Sequence, residues 1–225
     1  MSDEMNGAES LVRTLIAGGV DVCFTNPGTS EMHFVAALDK VPGMRCILGL
    51  FEGVVTGAAD GYYRMSGKPA STLLHLAPGL ANGLANLHNA KKAGSGIVNI
   101  VGEHATHHIK FDAPLTADIE GTAAPMSHWV KTSPTSATIA DDGALAIEVA
   151  RQIPGQIATL ILPADTAWGP ADTVGETNVP PAVPKVFDDA VKAAAEMLRN
   201  SERATLLMGG AALRDCLLYT SDAAD

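Results

Sequence analysis

The sequence predicts an α/β protein: a parallel six-stranded sheet with helices on both faces, followed by the start of a second α/β domain. Three observations carry this expectation. Residues 8–163 alternate between short β-branched runs and longer stretches rich in Ala and Leu with helical spacing. Gly and Pro punctuate the junctions, at Gly18-Gly19, Pro27-Gly28, Gly67, Pro69, Pro78-Gly79 and Gly94. The run at residues 96–101, GIVNIV, is almost continuously apolar, as a strand buried on both faces requires. Repeated β-then-α units connect through right-handed crossovers, which makes the sheet parallel and covers both of its faces.

The elements follow in order. Leu11, Val12, Leu15 and Ile16 have the spacing of one helix face. Strands are expected at 21–25, 45–49, 71–76, 96–101 and 157–162, with Ala- and Leu-rich helices between them. Residues 102–126 break the rhythm as a long polar loop, and such loops in compact domains are often functional. A short strand near 127–131 and a helix over 139–152 precede the last strand. Residues 164–184 carry Pro170, Pro180, Pro181 and Pro184, which is linker composition. A helix over 187–199 and a strand over 204–208, closed by Gly209-Gly210, open a second unit that has room for only one of each. Residues 216–225 do not continue the βα pattern and read as a non-native tail. The expected division is 1–168 for the first domain, 169–185 for the linker, 186–215 for an incomplete second domain and 216–225 for the tail.

Composition excludes several functions. The chain has 225 residues, with 15 Lys and Arg against 25 Asp and Glu, a net charge of −10. Its pI is about 5.0. Without a basic stripe, such a chain is a poor partner for nucleic acid or an anionic membrane. Apolar residues are 47%, enough for a core, while aromatics are 4%, so the core is built from Ala, Val, Leu and Ile. Cys23, Cys46 and Cys216 are an odd count that suits a reducing cytoplasm and no disulfide framework. The first residues are acidic where a targeting peptide is basic, and no apolar run approaches a membrane span.

Four segments carry candidate chemistry. Asn26-Pro27-Gly28-Thr29-Ser30-Glu31 follows the first strand, at the sheet edge where ligands bind; turn chemistry with Ser30 as helix N-cap explains the same residues. Glu52 stands among apolar neighbours at a strand-to-helix junction, where desolvation raises a carboxyl pKa; an acid favoured by the helix dipole is the alternative. His75 ends the third strand before Pro78-Gly79, as an acid–base group or as a structural histidine. Glu103-His104 with His107 and His108 lacks the order and helical spacing of a metal motif, so no metal ligand is assigned. Dinucleotide, Walker and serine-hydrolase signatures are absent.

Together these segments resemble the N-terminal pyrimidine-binding domain of thiamine diphosphate enzymes, in the acetolactate synthase large subunit and benzoylformate decarboxylase superfamily. The matching pieces are Asn26-Pro27-Gly28 with Glu31 and Phe34, Phe51-Glu52-Gly53 through Asp60-Gly61-Tyr62, and Pro78-Gly79 with Asn82. They cover roughly residues 5–170, the scale of one domain. The resemblance implies the thiamine diphosphate-binding fold. It implies that Glu52 hydrogen-bonds N1′ of the aminopyrimidine, so that the 4′-imino nitrogen can take the proton from thiazolium C2, and that the thiazolium serves as electron sink for a 2-oxo acid substrate. Asn26, Pro27, Gly28, Pro78, Gly79 and Asn82 would shape the cofactor wall, with Thr29 and His75 on the substrate side. His75 falls where benzoylformate decarboxylase-like members carry a histidine and acetolactate synthases usually carry a hydroxyl residue. Mg²⁺ would be held by a Gly-Asp-Gly…Asn motif of a C-terminal domain, which does not occur in these residues. FAD is possible in the family, but nothing in these residues supports it. The site would form at an interface with a second copy of the chain, and this chain alone would be inactive. Decarboxylation with carboligation is the leading expectation, a benzoylformate-type decarboxylase the alternative, and a non-catalytic α/β binding module the reading from another class.

Overall fold

A computed structural model describes residues 4–180, 182–183 and 185–210. They fall in two compact units, Met1–Pro181 and Ala182–Asp225. The first begins with α1 (Gly7–Ala17), whose N-cap Asn6 accepts a hydrogen bond from the Glu9 N–H. Strands β1 (Val22–Asn26), β2 (Arg45–Leu48), β3 (Ala70–Leu74), β4 (Ile97–Glu103), β5 (Trp129–Thr132) and β6 (Ile157–Pro163) form a six-stranded sheet in the order β2-β1-β3-β4-β6-β5. Every pairing is parallel, as the β-then-α rhythm predicts. The connecting helices are α2 (Met32–Lys40), α3 (Glu52–Ser66), α4 (Leu76–Ala93), α5 (Ile119–Ala123) and α6 (Ile139–Ala150), with α7 (Ala164–Trp168) after the last strand.

Alternate strand residues serve two cores. Cys23, Leu73, Val98, Ile100 and Leu160 pack with α1, α2 and α6 on one face. Phe24, Leu74, Ile97, Val101 and Ile161 pack with α3, α4 and α5 on the other. The central strands β3, β4 and β6 are buried along their whole length, whereas the edge strand β2 is largely exposed.

One rung of the sheet is polar. Thr72, Asn99 and Thr159 are in register on β3, β4 and β6. Thr72 Oγ1 donates to Asn99 Oδ1 (2.7 Å), and Asn99 Nδ2 donates to Thr159 Oγ1 (3.0 Å). All three are fully buried. Asn99→Ala would strand the buried Thr72 hydroxyl, while Thr159 Oγ1 keeps its contact with Ser127 Oγ (2.7 Å), so urea unfolding is expected to show a loss of about 1–3 kcal/mol.

Several expected boundaries move. β3 stops at Leu74 and not at residue 76, because Leu76 takes left-handed backbone (φ 51°) and starts α4 at once. Ser30 is not the helix cap: a 3-10 turn at Thr29–Glu31, capped by Gly28, precedes α2. The polar loop is interrupted by α5, whose N-cap Asp118 accepts from the Gly121 N–H (2.7 Å). Within the first unit, residues 173–178 are hydrogen-bonded to α1 and α6. Thr173 O accepts from Ser10 Oγ (2.7 Å), Gly175 N donates to Thr14 Oγ1 (2.9 Å), and Asn178 N donates to Glu148 Oε1 (2.8 Å).

In the second unit, α8 (Asp188–Arg199) forms where helical spacing predicts it. The strand expected at 204–208 does not form: these residues pair with no described strand, and without a neighbour their backbone groups have no ladder to join. The expected tail at 216–225 lies outside the described residues. No helix among the described residues is long and apolar enough to cross a membrane.

Candidate active site

The sheet order places a crevice. The chain leaves β1 outward to β2 but leaves β3 toward β4, so its direction reverses between β1 and β3. The connecting segments diverge beyond the carboxyl ends of those two strands, which is where open α/β sheets bind ligands. Asn26 and Leu74 face each other in register there, and the segments that follow them wall the opening.

On the β1 side, Asn26 Nδ2 donates to Gly49 O (2.8 Å) and ties the end of β1 to the end of β2. The chain then turns through Pro27 and Gly28. Gly28 N donates to Glu31 Oε2 (2.7 Å), and Gly28 is packed so closely on the His75 imidazole that a Cβ would overlap the ring. Thr29 is exposed beside it.

On the β3 side, His75 is the N-cap residue of α4. Its Nδ1 lies 2.8 Å from Glu31 Oε2. Glu31 is buried, with its side chain fully inaccessible. The sequence reading includes Glu31 only as one piece of a motif and does not foresee this pairing.

Glu52 opens α3, where the helix dipole favours a negative charge. It is half-buried, and Asn82 Nδ2 donates to its Oε2 (3.0 Å). Small residues bring α3 and α4 together so that these side chains meet. Thr56 Oγ1 donates to Gly83 O (3.0 Å), and Asn86 Nδ2 donates to Gly53 O (2.6 Å). Asn86 is a second positioning residue absent from the sequence reading.

Gly79 links the two acidic and basic groups. A Cβ there would stand 3.2 Å from Glu52 Oε1 and 3.4 Å from His75 Cβ. Glycine therefore keeps clear a space bordered by both side chains. Glu52 Oε1 accepts no hydrogen bond from the described residues, so its lone pairs are available at that space. Pro78 is exposed, and with Ala77, Ala81, Leu115 and Thr116 it lines an open cavity of about 310 Å³.

The histidine loop stays separate. Thr106 N and Oγ1 donate to Asp165 (3.0 and 2.5 Å). Burial alone would raise the Asp165 carboxyl, but these bonds hold it below the ordinary carboxylate range. Glu103 is pushed up by burial, against the pull of the His104 N–H it accepts. No group of three or more His, Cys, Asp or Glu side chains among the described residues is placed to hold a metal ion.

The family described as "Thiamine pyrophosphate enzyme, N-terminal TPP binding domain" matches residues 5–128. The chain belongs to this family. Its relatives include a Mycobacterium tuberculosis protein named "Putative acetolactate synthase large subunit IlvX", 54% identical over 93% of the chain. The benzoylformate decarboxylase of Pseudomonas aeruginosa is 34% identical over 64% of the chain. The acetolactate synthase large subunit of Buchnera aphidicola from Acyrthosiphon pisum is 34% identical over 54% of it. The chain spans 40%, 25% and 21% of these relatives. A solved thiamine diphosphate-dependent 4-hydroxybenzoylformate decarboxylase from Rhodococcus jostii RHA1 has the same fold. It superposes with a TM-score of 0.77 at 23% identity, over 88% of this chain and 38% of that one.

As a TPP-binding domain the chain offers a fitting half-site for an aminopyrimidine. A carboxylate oxygen with free lone pairs, held from behind by an asparagine, faces a space that a Cβ at position 79 would crowd.

Proposed function

We propose that the chain is the pyrimidine-binding part of a thiamine diphosphate enzyme that acts on 2-oxo acids, with acetolactate synthase-like decarboxylation and carboligation. The observation that carries this is the Glu52 carboxylate, fixed by Asn82 with Oε1 directed at the space above Gly79. The name of the IlvX relative supports the same activity. Thiamine diphosphate, when bound, supplies the electron sink for loss of CO₂.

The chain's residues have distinct roles. Glu52 would hold a proton at Oε1, facing the ring nitrogen of a bound aminopyrimidine. Asn82 fixes which carboxylate oxygen is used. Asn26, Pro27, Gly28, Pro78 and Gly79 wall the cofactor, and Thr29 and His75 stand on the substrate side. His75 moves protons to or from the substrate through its imidazole.

Residues 1–168 form this domain, and 169–185 link it to a second domain that begins at 186. Mg²⁺ and the diphosphate belong to a further domain carrying the Gly-Asp-Gly…Asn motif, so these residues alone do not turn over substrate. Leu48, Leu50, Phe51 and Val54 are exposed around Glu52, and a second copy of the chain would cover them. The protein works in the cytoplasm.

His75 at the crevice favours a second reading, a benzoylformate-type decarboxylase without carboligation. Product analysis separates the two, in a polypeptide that joins this chain to a diphosphate-binding domain. Pyruvate is expected to give acetolactate. An aldehyde as sole product would select the decarboxylase, and no product from pyruvate or benzoylformate despite bound cofactor would refute both.

A further inference from the structure

We infer that Glu31 positions His75: its buried carboxylate keeps the proton on Nδ1 and leaves Nε2 as the nitrogen that works at the crevice. The inference rests on the reading of His75 as the acid–base group of the site.

A buried carboxylate is costly unless partners surround it. Glu31 Oε2 has two, the Gly28 N–H at 2.7 Å and His75 Nδ1 at 2.8 Å. With Glu31 ionised, Oε2 accepts from Gly28 and offers its second lone pair to Nδ1. Nδ1 is therefore the donor, which fixes the tautomer as a carboxylate does in other acid–base histidines. Nε2, across the ring, makes no hydrogen bond with the described residues, and the His75 side chain keeps 24% of its exposure.

The socket is built from both sides. A Cβ at Gly102 would overlap Glu31 Oε1, and one at Gly28 would overlap the imidazole. The next residue, Leu76, is held at φ 51°, an unfavourable backbone for a branched-chain residue that makes the sharp turn under His75. Glu31 Oε1 is buried without a hydrogen-bond partner. Stability alone does not favour such an atom, since an apolar side chain would fill the place without that penalty. The arrangement is better explained by what it does to the histidine.

The test reads the ring nitrogens directly. Long-range ¹H–¹⁵N spectra of the full chain, labelled at histidine and recorded at mildly alkaline pH, show which nitrogen bears the proton. The unmodified chain is expected to show His75 protonated on Nδ1. Glu31→Ala is expected to lose that preference while the other histidine signals stay in place. Gly28→Ala keeps the carboxylate but displaces the ring, and is expected to have the same effect; it serves as the second probe should Glu31→Ala fail to fold. His75 protonated on Nε2 in the unmodified chain, or a His75 spectrum that neither substitution changes, would overturn the inference.

Turnover provides the other arm, in a polypeptide that also carries the diphosphate-binding domain. Glu31→Ala is expected to lower kcat roughly 10²-fold with little change in KM, and Glu31→Asp to recover part of it. A lost tautomer preference with unchanged kcat would confirm the positioning by Glu31 and refute the acid–base role of His75.

Discussion

Glu52→Gln is expected to remove nearly all turnover, by about 10²–10⁴-fold, from a polypeptide that joins this chain to a diphosphate-binding domain. The substitution preserves volume and the start of α3. An amide can still meet Asn82, so the geometry around Oε2 survives. What disappears is the ability to hold a proton at Oε1, in the space that Gly79 keeps open. The fold should tolerate the change. A charge at a partly buried helix N-terminus contributes up to about 2 kcal/mol, which a thermal scan would register as a shift of a few degrees. Two readouts belong together: product formation, and exchange of the C2 hydrogen of bound thiamine diphosphate. If both persist in Glu52→Gln, the role assigned to Glu52 is wrong.

The parts of this molecule that were legible in the sequence are those set by local pattern. β4 and β6 are almost unbroken apolar runs, and both are buried from end to end. The Pro27-Gly28 turn and the Glu52 junction announce themselves by residue type, and both lie at the crevice. The pairing of Glu31 with His75 was not legible. The two residues are 44 positions apart, and they meet only because β3 inserts beside β1 while β2 is sent to the edge. Order in a parallel sheet leaves little trace in the local composition of its strands. The contacts of the stretch after α7 were not legible either. Its Pro, Gly and Thr content reads as linker, yet backbone groups of Thr173 and Gly175 meet the hydroxyls of Ser10 and Thr14 on α1. The strand expected at 204–208 has the composition of a strand but no partner, and β structure exists only in pairs. Cys23 lies in the core packed with α1, α2 and α6, and burial pushes its thiol up to about 12.

Phe34→Ala is expected to have the largest effect on stability, about 3–5 kcal/mol, because it opens a cavity that the surroundings can fill only in part. Phe34 is completely buried, between α2 and the core formed with α1 and the sheet. In a chain with 4% aromatic residues, such a volume has few substitutes. Domains are stable by only about 5–15 kcal/mol, so the loss is a large share of the total, and the melting midpoint should fall by roughly 10 °C. Phe34→Leu leaves a smaller gap and should lose less. The consequence extends beyond stability. Phe34 anchors the first turn of α2, directly after the segment in which Glu31 bonds to Gly28 and His75. At temperatures where Phe34→Ala is still folded, its His75 tautomer should therefore be less strictly held than in the unmodified chain. A variant that unfolds within about 1 kcal/mol of the unmodified chain would show that α2 is not anchored through this side chain. The turn at Gly28 would then owe its position to the Glu31 contacts alone.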